Sequence, residues 1–316
     1  MEEESETVTM VPLFKLPNRA TTNVLSIMSL EEQVNFAVLS KRSAKSMAGV
    51  KNELSPSRVY CYGNSVHINL VRPSQPMGEW IFLKMNNWRE NGCLLEYFVN
   101  AIKTAFNLPF IANVTMEDNQ DSGYDMKMLK ALRDVRNLFI HTEAAPDFYE
   151  GVLNAIQPVR SLFVDYGRRD MRDWHKVFIQ DFDHLSLRYA RRNENGSKGL
   201  DDLLVINSAY IFLNCSEMDR AVLVRFLKSW KTKANPRMRY LEVAGPAALF
   251  GVDNIVRKLN ARAIPAPRTF SVISQNGRHR ESVTIDNGYY IQSKDGKQAT
   301  FYFPRNWTLA FFVHDN

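Results

Sequence analysis

The chain has 316 residues, a formal net charge of +6 and a pI of about 9.1. Hydrophobic residues make up 45% and charged residues 23%, which excludes a largely disordered chain and predicts one or two globular domains with ample core. No apolar run approaches the roughly 20 residues that a membrane-spanning helix needs. We therefore expect no membrane as a partner, and because Lys and Arg are scattered along the sequence, we do not expect nucleic acid either.

The cysteines and the first residues bear on cellular location. Cys61, Cys93 and Cys215 are far apart and form no Cys-x-x-Cys pair, so neither a disulfide framework nor a zinc cluster is predicted. Residues 1–10 are acidic and polar, whereas a secretory signal begins basic and continues apolar. We therefore expect a disordered tail at 1–10 and an intracellular protein of the cytoplasm, the nucleus or both.

Residues 11–50 predict three short helices. Pro17 suits the first turn of a helix, and Ser29 with Glu32 matches a capping box at the start of the next one. The apolar residues are too numerous for such a small bundle to bury, so the segment favours a partner helix as cover. The alternative is a helical cap that is covered by the rest of its own chain.

The order of these residues resembles the F-box. The resemblance is carried by Leu16, Pro17, Val24, Leu25, Ile27, Met28, Leu30, Val34, Phe36, Val38, Leu39, Ser40, Lys41 and Arg42. It implies docking into a Skp-type adaptor protein and, through that adaptor, attachment to a cullin. The residues expected to bind the adaptor are Leu16, Pro17, Val24, Leu25, Ile27, Met28, Leu30, Phe36 and Leu39.

Residues 51–110 predict a connecting module rather than a site. β-Branched and aromatic runs at Val59–Tyr62 and Ser65–Val71 flank a Gly-Asn pair and indicate a hairpin. A further strand is predicted at Trp80–Met85, and helical periodicity extends from Cys93 to Phe106.

Residues 111–245 contain a repeat in which pairs of apolar residues recur at steps of 24, 24, 23, 26 and 30 residues. The pairs are Val114 and Met116, Leu138 and Ile140, Leu162 and Val164, Leu185 and Leu187, Ile211 and Leu213, and Leu241 and Val243. Helices are predicted between them at Asp125–Arg136, Pro146–Ile156, Asp170–Phe182, Leu200–Ile206 and Met218–Lys233. This period is typical of a degenerate leucine-rich-repeat-like βα array. An open α/β sheet is the alternative, and strand order distinguishes the two.

Residues 246–316 predict a helix and a β cap. The helix is expected at Ala247–Leu259, before two prolines. Three turn pairs, Asn276-Gly277, Asn287-Gly288 and Asp295-Gly296, each favour a two-residue hairpin. We therefore expect a terminal antiparallel meander that caps the array.

A second resemblance concerns the carboxyl-terminal half. The residues that carry it are Leu200, Asp201, Asp202, Leu203, Leu204, Phe226, Leu227, Lys228, Trp230, Asn235, Pro236, Arg237, Met238, Tyr240 and Leu241, followed by Gly288, Ile291, Lys294, Asp295, Gly296, Ala299 and Thr300. Their order resembles the type 2 F-box-associated domain of a large set of nematode F-box proteins. The resemblance extends over about 180–303.

The repeat also predicts a surface for a target protein. If the apolar pairs face the core, the residues between and after them face the opposite, open side of the sheet. The candidate target-binding residues there are Phe139, His141, Phe163, Asp165, Arg188, Phe212 and Asn214. The alternative is that helices or the terminal meander cover this face and its phenylalanines belong to the core.

The sequence contains no recognisable catalytic motif. None of the six histidines has metal-ligand spacing, and neither a phosphate-binding loop nor a Gly-x-Ser-x-Gly elbow occurs. We predict a multi-domain α/β protein with a three-helix F-box, the βα array and the β meander, and without catalytic residues, metal or cofactors. The resemblances imply a non-enzymatic substrate-recognition adaptor of a Skp-cullin-F-box E3 ubiquitin ligase. The alternatives are a ligase-independent interaction scaffold and an α/β enzyme with a deep pocket.

Overall fold

A computed structural model describes residues 12–50, 54–62, 65–72, 79–86, 92–108, 110–118, 129–133, 135–142, 146–158, 160–166, 179–189, 204–215, 220–245, 251–275, 279–305 and 308–314. The α-helices in these ranges are α1 (Asn18–Ile27), α2 (Leu30–Ala37), α3 (Lys41–Met47), α4 (Gly92–Ala105), α5 (Pro146–Ala155), α6 (Arg220–Lys231) and α7 (Val252–Leu259). The tail expected at 1–10 lies outside them.

The strands were largely expected from the sequence. They are β1 (Ser55–Tyr62), β2 (Ser65–Arg72), β3 (Glu79–Asn86), β4 (Ile111–Asp118), β5 (Val135–Thr142), β6 (Ser161–Tyr166), β7 (His184–Tyr189), β8 (Tyr210–Cys215), β9 (Tyr240–Ala244), β10 (Arg262–Ala263), β11 (Arg268–Ile273), β12 (Arg280–Ile285), β13 (Tyr289–Gln292), β14 (Gln298–Arg305) and β15 (Thr308–Val313). All six strands predicted from the apolar pairs are present as β4 to β9. The fold is thus α/β, as predicted.

The strands form one large mixed sheet and one hairpin. The order in the large sheet is β10-β13-β14-β15-β9-β8-β7-β6-β5-β4-β1-β2-β3, and β11 pairs only with β12. From β4 to β9, strands consecutive in the chain are parallel neighbours. A doubly wound sheet instead has a reversal of strand order, which is absent between these described strands. The segment predicted as a connecting module belongs to the same sheet, since β1 pairs in parallel with β4.

One face of the parallel strands carries the main core. All twelve residues of the predicted apolar pairs are buried there, which confirms the predicted alternation. Helices α5 and α6 contribute Tyr149, Leu223 and Trp230 to the buried side chains. The ring centroid of Trp230 lies 5.1 Å from that of Phe311 on β15, so helix and sheet are in direct contact.

The segments between the strands match the helix predictions only in part. Pro146–Ile156 and Met218–Lys233 are confirmed as α5 and α6. The described part of Asp125–Arg136 contains a short 3-10 helix at Lys130–Leu132, and β5 already begins at Val135. Most of Asp170–Phe182 and of Leu200–Ile206 lies outside the described residues.

The amino-terminal helices share the core of the sheet. Leu25, Leu30, Val34 and Met47 are completely buried and belong to the same apolar cluster as the strands. Helix α4 packs against α2 and α3, and the Asn107 Nδ2 after α4 donates a hydrogen bond of 3.2 Å to a backbone carbonyl after α3. The helices and the array are therefore joined by continuous packing.

The predicted capping box is confirmed at the start of α2. The Ser29 backbone N–H donates to Glu32 Oε2 at 2.8 Å, and the Glu32 backbone N–H donates to Ser29 Oγ at 3.3 Å. The hydrogen bonds from Ser29 lower the pKa of Glu32. They fix the turn between α1 and α2.

The carboxyl-terminal meander is antiparallel, as predicted, and continues the sheet through the pairing of β15 with β9. A hairpin turn at Asp295-Gly296 is confirmed, with Gly296 at φ +88°, but residues 293–297 connect β13 to β14, so the predicted two-residue length is wrong. The hairpin predicted at Asn287-Gly288 is wrong, because β12 and β13 belong to different sheets. A Cβ on Gly288 would lie 2.9 Å from Ile285 Cγ2, so close packing explains the glycine there.

The β11–β12 hairpin lies against the open face of the large sheet. It buries Val272 and Ile285 in a second apolar cluster with Phe212, Tyr240 and Phe312 of the sheet. Arg268 Nη1 lies 2.9 Å from His314 Nδ1, which ties β11 to the residue after β15. The hairpin therefore covers Phe212 on β8 and the neighbouring part of the open face on β9 and β15.

Candidate functional site

Exposed apolar side chains are concentrated in residues 14–39, within and between the short amino-terminal helices. The large hydrophobic residues exposed in the described part of the chain are Phe14, Val24, Ile27, Leu39, Ile179 and Val205. The first four form what we call the amino-terminal patch. Ile27 is 84% exposed and Leu39 is 73% exposed, so nearly the whole of each side chain is available to a partner.

The structure divides the predicted adaptor-binding residues into two groups. Pro17, Val24, Ile27 and Leu39 are exposed, and Leu16, Met28 and Phe36 are partly buried. Leu25 and Leu30 are completely buried and belong to the main core, so they have no surface to offer a partner. The sequence shows that both residues are apolar. Their spacing along the helices did not show which apolar residues face the core and which face the surface.

Phe14 is held at the edge of the patch by its neighbours. Its ring centroid lies 5.8 Å from that of Phe36, and Arg42 Cζ lies 4.5 Å from the Phe14 centroid. The segment 12–50 has five Lys or Arg residues and two Glu residues, a net charge of +3. The exposed cations around the patch are Lys15, Arg19, Lys41, Arg42 and Lys45.

Gln33 is a positioning residue that the sequence analysis missed. It is buried, and its Nε2 donates to the Leu25 carbonyl oxygen at 2.9 Å and to the Met28 carbonyl oxygen at 3.2 Å. These acceptors lie at the end of α1, where helix carbonyls have no partner within the helix. Gln33 lies three residues after Leu30 and directly before Val34, so helical spacing places it on the buried face of α2. That spacing could have identified Gln33 as a buried polar residue from the sequence.

Gln33→Leu is expected to lower the free energy of unfolding by about 1–3 kcal/mol, because buried carbonyl oxygens lose their donor. Urea denaturation followed by circular dichroism measures this loss. Asn35→Leu is the matched control, since Asn35 is exposed on the same helix and its replacement should change stability by less than about 0.5 kcal/mol. Equal effects of the two substitutions would contradict the role of Gln33.

The predicted target-binding residues lie on the open face, opposite the main core. His141 and Arg188 are exposed, whereas Phe139, Asp165 and Asn214 are partly buried. Asp165 is shared by two neighbours: its Oδ2 lies 3.7 Å from His141 Nδ1 and 3.4 Å from Arg188 Nη1. These residues form a polar row across β5, β6 and β7.

Phe163 and Phe212 are not surface residues. Phe212 is 4% exposed because the β11–β12 hairpin covers it, as the meander alternative anticipated for this end of the face. Phe163 is 6% exposed and stacks on Phe139, with ring centroids 4.2 Å apart and an interplanar angle of 6°. The rings of Phe163 and Phe212 therefore pack beneath the accessible side chains and offer little contact area to a partner.

His184 fills the space between these two rings. Its ring centroid lies 4.6 Å from that of Phe163 and 4.9 Å from that of Phe212, in edge-on contact with both. The side chain is 2% exposed, and neither ring nitrogen has a hydrogen-bond partner among the described residues. Burial lowers the pKa of His184 to about 3, so the imidazole is neutral in the folded protein.

Other chemistry-bearing groups are sparse in the described part of the chain. There, no three His, Cys, Asp or Glu residues are grouped to hold a metal ion. Nor is any helix described that is both long and apolar enough to cross a bilayer. Cys61 is buried on β1, and burial raises the pKa of its thiol to about 12. Cys61 is therefore a packing residue and not a nucleophile.

Comparison with known protein families identifies one region of the chain. Residues 173–243 match the model of a family described as F-box associated. This F-box-associated region includes β7, β8, α6 and β9, together with Arg188, Phe212 and Asn214 of the open face. The amino-terminal helices and the predicted closing motif at 288–300 lie outside the match. No curated protein and no solved structure matches the chain.

Proposed function

We propose that this protein is a substrate-recognition adaptor of a Skp-cullin-F-box E3 ubiquitin ligase. The observation that carries the proposal is the amino-terminal patch, in which four large apolar side chains are exposed within residues 14–39. The F-box resemblance of the same helices and the F-box-associated region further along the chain support it.

The patch fits an adaptor because its burial is energetically favourable. Covering an exposed Ile or Leu side chain contributes about 1.5–3 kcal/mol, and Ile27 and Leu39 have nearly all of that area available. Leu16, Pro17, Met28 and Phe36 extend the surface around them. Leu25, Leu30 and Gln33 hold the helices beneath it, so the surface needs no rearrangement before binding.

Charge adds selectivity to this apolar contact. The five exposed cations near the patch favour an acidic partner, which they would attract before contact. We therefore propose a Skp-type adaptor with acidic residues around its docking groove. Exposed charges are screened by salt, so the association rate with that adaptor should fall as ionic strength rises.

The target protein is assigned to the accessible part of the open face. Phe139, His141, Asp165, Arg188 and Asn214 line it, and the sequential parallel strands β4 to β9 support our proposal that it acts as a leucine-rich-repeat-like surface. We infer no bond chemistry for this chain. Ubiquitin transfer belongs to other subunits, and this protein supplies proximity by holding the adaptor and the target at once.

Co-expression with a Skp-type adaptor tests the proposal. The two proteins should elute together from a sizing column as a 1:1 complex. Separate elution at micromolar concentration, with a chain that shows cooperative unfolding, would refute the adaptor role.

A ligase-independent interaction scaffold is the second candidate. It is favoured by the location of the family match, which covers part of the sheet and none of the amino-terminal helices. Affinity purification followed by mass spectrometry distinguishes the candidates. Recovery of other partners without any Skp-type protein would support the scaffold.

A further inference from the structure

We propose that the carboxyl-terminal ends of α6 and α7, together with the turn between β13 and β14, form a basic surface that binds an acidic segment of a partner protein. The basic surface consists of Lys228, Lys231, Lys233, Arg257, Lys258, Arg262, Lys294 and Lys297. It is separate from the amino-terminal patch and from the candidate residues of the open face. The inference therefore goes beyond the proposed function and does not depend on adaptor docking.

The fold brings together three basic segments that are far apart in the sequence. Lys231 lies where they meet. Its Nζ donates a hydrogen bond of 2.9 Å to the Leu259 carbonyl oxygen, and its own carbonyl oxygen accepts one of 2.9 Å from the Lys294 backbone N–H. Residues 228–233, 257–262 and 294–297 are therefore neighbours, although 23 and 31 residues separate them along the chain.

The basic surface accounts for the net positive charge of the whole chain. Its three segments contain eight Lys or Arg residues and one carboxylate, Asp295. Subtracting these from the 40 Lys or Arg and the 34 Asp or Glu of the chain leaves 32 and 33, a net charge of −1 for the other 300 residues. The rest of the protein is thus nearly neutral in total, and the excess positive charge is concentrated at this place.

These charges are not neutralised within the protein. In the part of the chain that the structure describes, none of the eight residues forms an ion pair with a carboxylate. The pKa of Asp295 is lowered mainly by a hydrogen bond from Ser293 and less by the charge of Lys233. Each helix C-terminus carries about half a negative charge, so the two ends offset only about one positive charge. Six of the eight side chains are exposed, and Lys231 and Lys297 are partly buried.

The composition of the surface favours an acidic polypeptide over nucleic acid or a membrane. The large apolar residues of the three segments, Trp230 and Leu259, are buried, so no ring is available to stack on a base and no apolar side chain to enter a bilayer. Phosphate groups are commonly bound by helix N-termini and bidentate arginine, whereas this surface has helix C-termini and six lysines among its eight cations. Flexible ammonium groups suit a run of separate carboxylates.

The dimensions of the surface indicate the length of the acidic segment. Helices α6 and α7 pack against each other, and the axes of packed helices are roughly 8–10 Å apart. An extended chain covers this distance in about three residues. With the reach of the lysine side chains on both sides, an acidic run of about four to six residues contacts all three segments.

Fluorescence anisotropy with fluorescein-labelled decaglutamate tests the inference on the full chain in 0.05 M NaCl. The triple variant Lys233→Gln, Lys258→Gln, Lys294→Gln removes one exposed charge from each segment. It should raise the Kd for the peptide about tenfold, since three exposed ion pairs are lost. No binding to the wild-type chain, or an unchanged Kd for the triple variant, would overturn the basic surface.

The matched control removes three exposed charges elsewhere through Lys130→Gln, Arg133→Gln and Arg280→Gln. Because the net charge of the two variants is equal, a change of less than about twofold in the control shows that position matters. An equal rise of the Kd in both variants would overturn the inference. Circular dichroism should show the wild-type thermal midpoint within a few degrees for both, since every replaced side chain is exposed.

Two further measurements exclude other occupants. Labelled ten-nucleotide oligothymidine has nearly the charge of decaglutamate, and its tighter binding would assign the surface to nucleic acid instead. Deletion of residues 1–11 should leave the Kd for decaglutamate unchanged, whereas a tenfold lower Kd would show that the chain's own acidic residues occupy the surface. Adaptor binding should be the same in both triple variants and the wild type, and its failure in all three would count only against the docking proposal.

Discussion

Replacement of both Ile27 and Leu39 by aspartate is expected to raise the Kd for a Skp-type adaptor at least about 100-fold. Each side chain loses about 1.5–3 kcal/mol of apolar burial in the complex, and each new carboxylate has to be desolvated there. Ile27 and Leu39 are the two most exposed large apolar residues of the described chain. Isothermal titration calorimetry with the purified adaptor measures the change.

The control for this prediction is Ile179→Asp. Ile179 is also an exposed aliphatic residue but lies outside the amino-terminal helices, so its replacement should leave the Kd unchanged. The thermal midpoints of both variants should stay within a few degrees of the wild-type value, since no core contact is removed. An unchanged Kd for the Ile27 and Leu39 double variant would contradict docking through the patch. Leu25→Asp cannot serve here, because a carboxylate at that buried position would unfold the helices.

Acidification is expected to destabilise the protein through His184. The folded state keeps this imidazole neutral with a pKa of about 3, whereas in the unfolded chain it binds a proton near pH 6.5. The stability associated with the neutral ring is fully present above pH 6.5 and is lost as pH falls towards 3. The loss is about 1.4 kcal/mol per pH unit, or about 2 kcal/mol at pH 5. Urea denaturation at pH 7.5, 6.5 and 5.0 measures it.

His184→Phe isolates this contribution. The new ring fits between Phe163 and Phe212 as His184 does, with a packing change worth less than about 1.5 kcal/mol, and it cannot be protonated. The variant should therefore lose about 2 kcal/mol less stability than the wild type between pH 7.5 and pH 5.0. The same loss in both proteins would show that other groups cause the acid sensitivity.

Local pattern predicted the elements of this fold well. Apolar residues two apart, such as Leu138 and Ile140, gave the strands and their buried face, because alternation is a property of the strand itself. The capping box at Ser29 and the turn at Gly296 were likewise predicted, since each depends on a few neighbouring residues. The regular spacing of the apolar pairs along the chain also predicted that consecutive strands are parallel neighbours.

Contacts between distant segments could not be predicted in the same way. Phe212 and Phe139 have the same position in their strands, each between two core-facing apolar residues. A hairpin more than 50 residues further along the chain nevertheless covers only Phe212. Asn287-Gly288 has the composition of a hairpin turn, but close packing against Ile285 explains its glycine. Leu25 and Ile27 are both apolar and only two residues apart, and the three-dimensional packing of α1 decides which one is buried.

The position of the β11–β12 hairpin limits how much of a target this protein can contact. With Phe212 of β8 and the neighbouring part of β9 and β15 covered, the accessible candidate residues for the target extend from Phe139 on β5 to Asn214 on β8, about three inter-strand spacings or roughly 14 Å. An extended peptide crosses that distance in four or five residues. The recognised element would accordingly be a short linear epitope with a small footprint, and long residence of the target would require a second point of attachment.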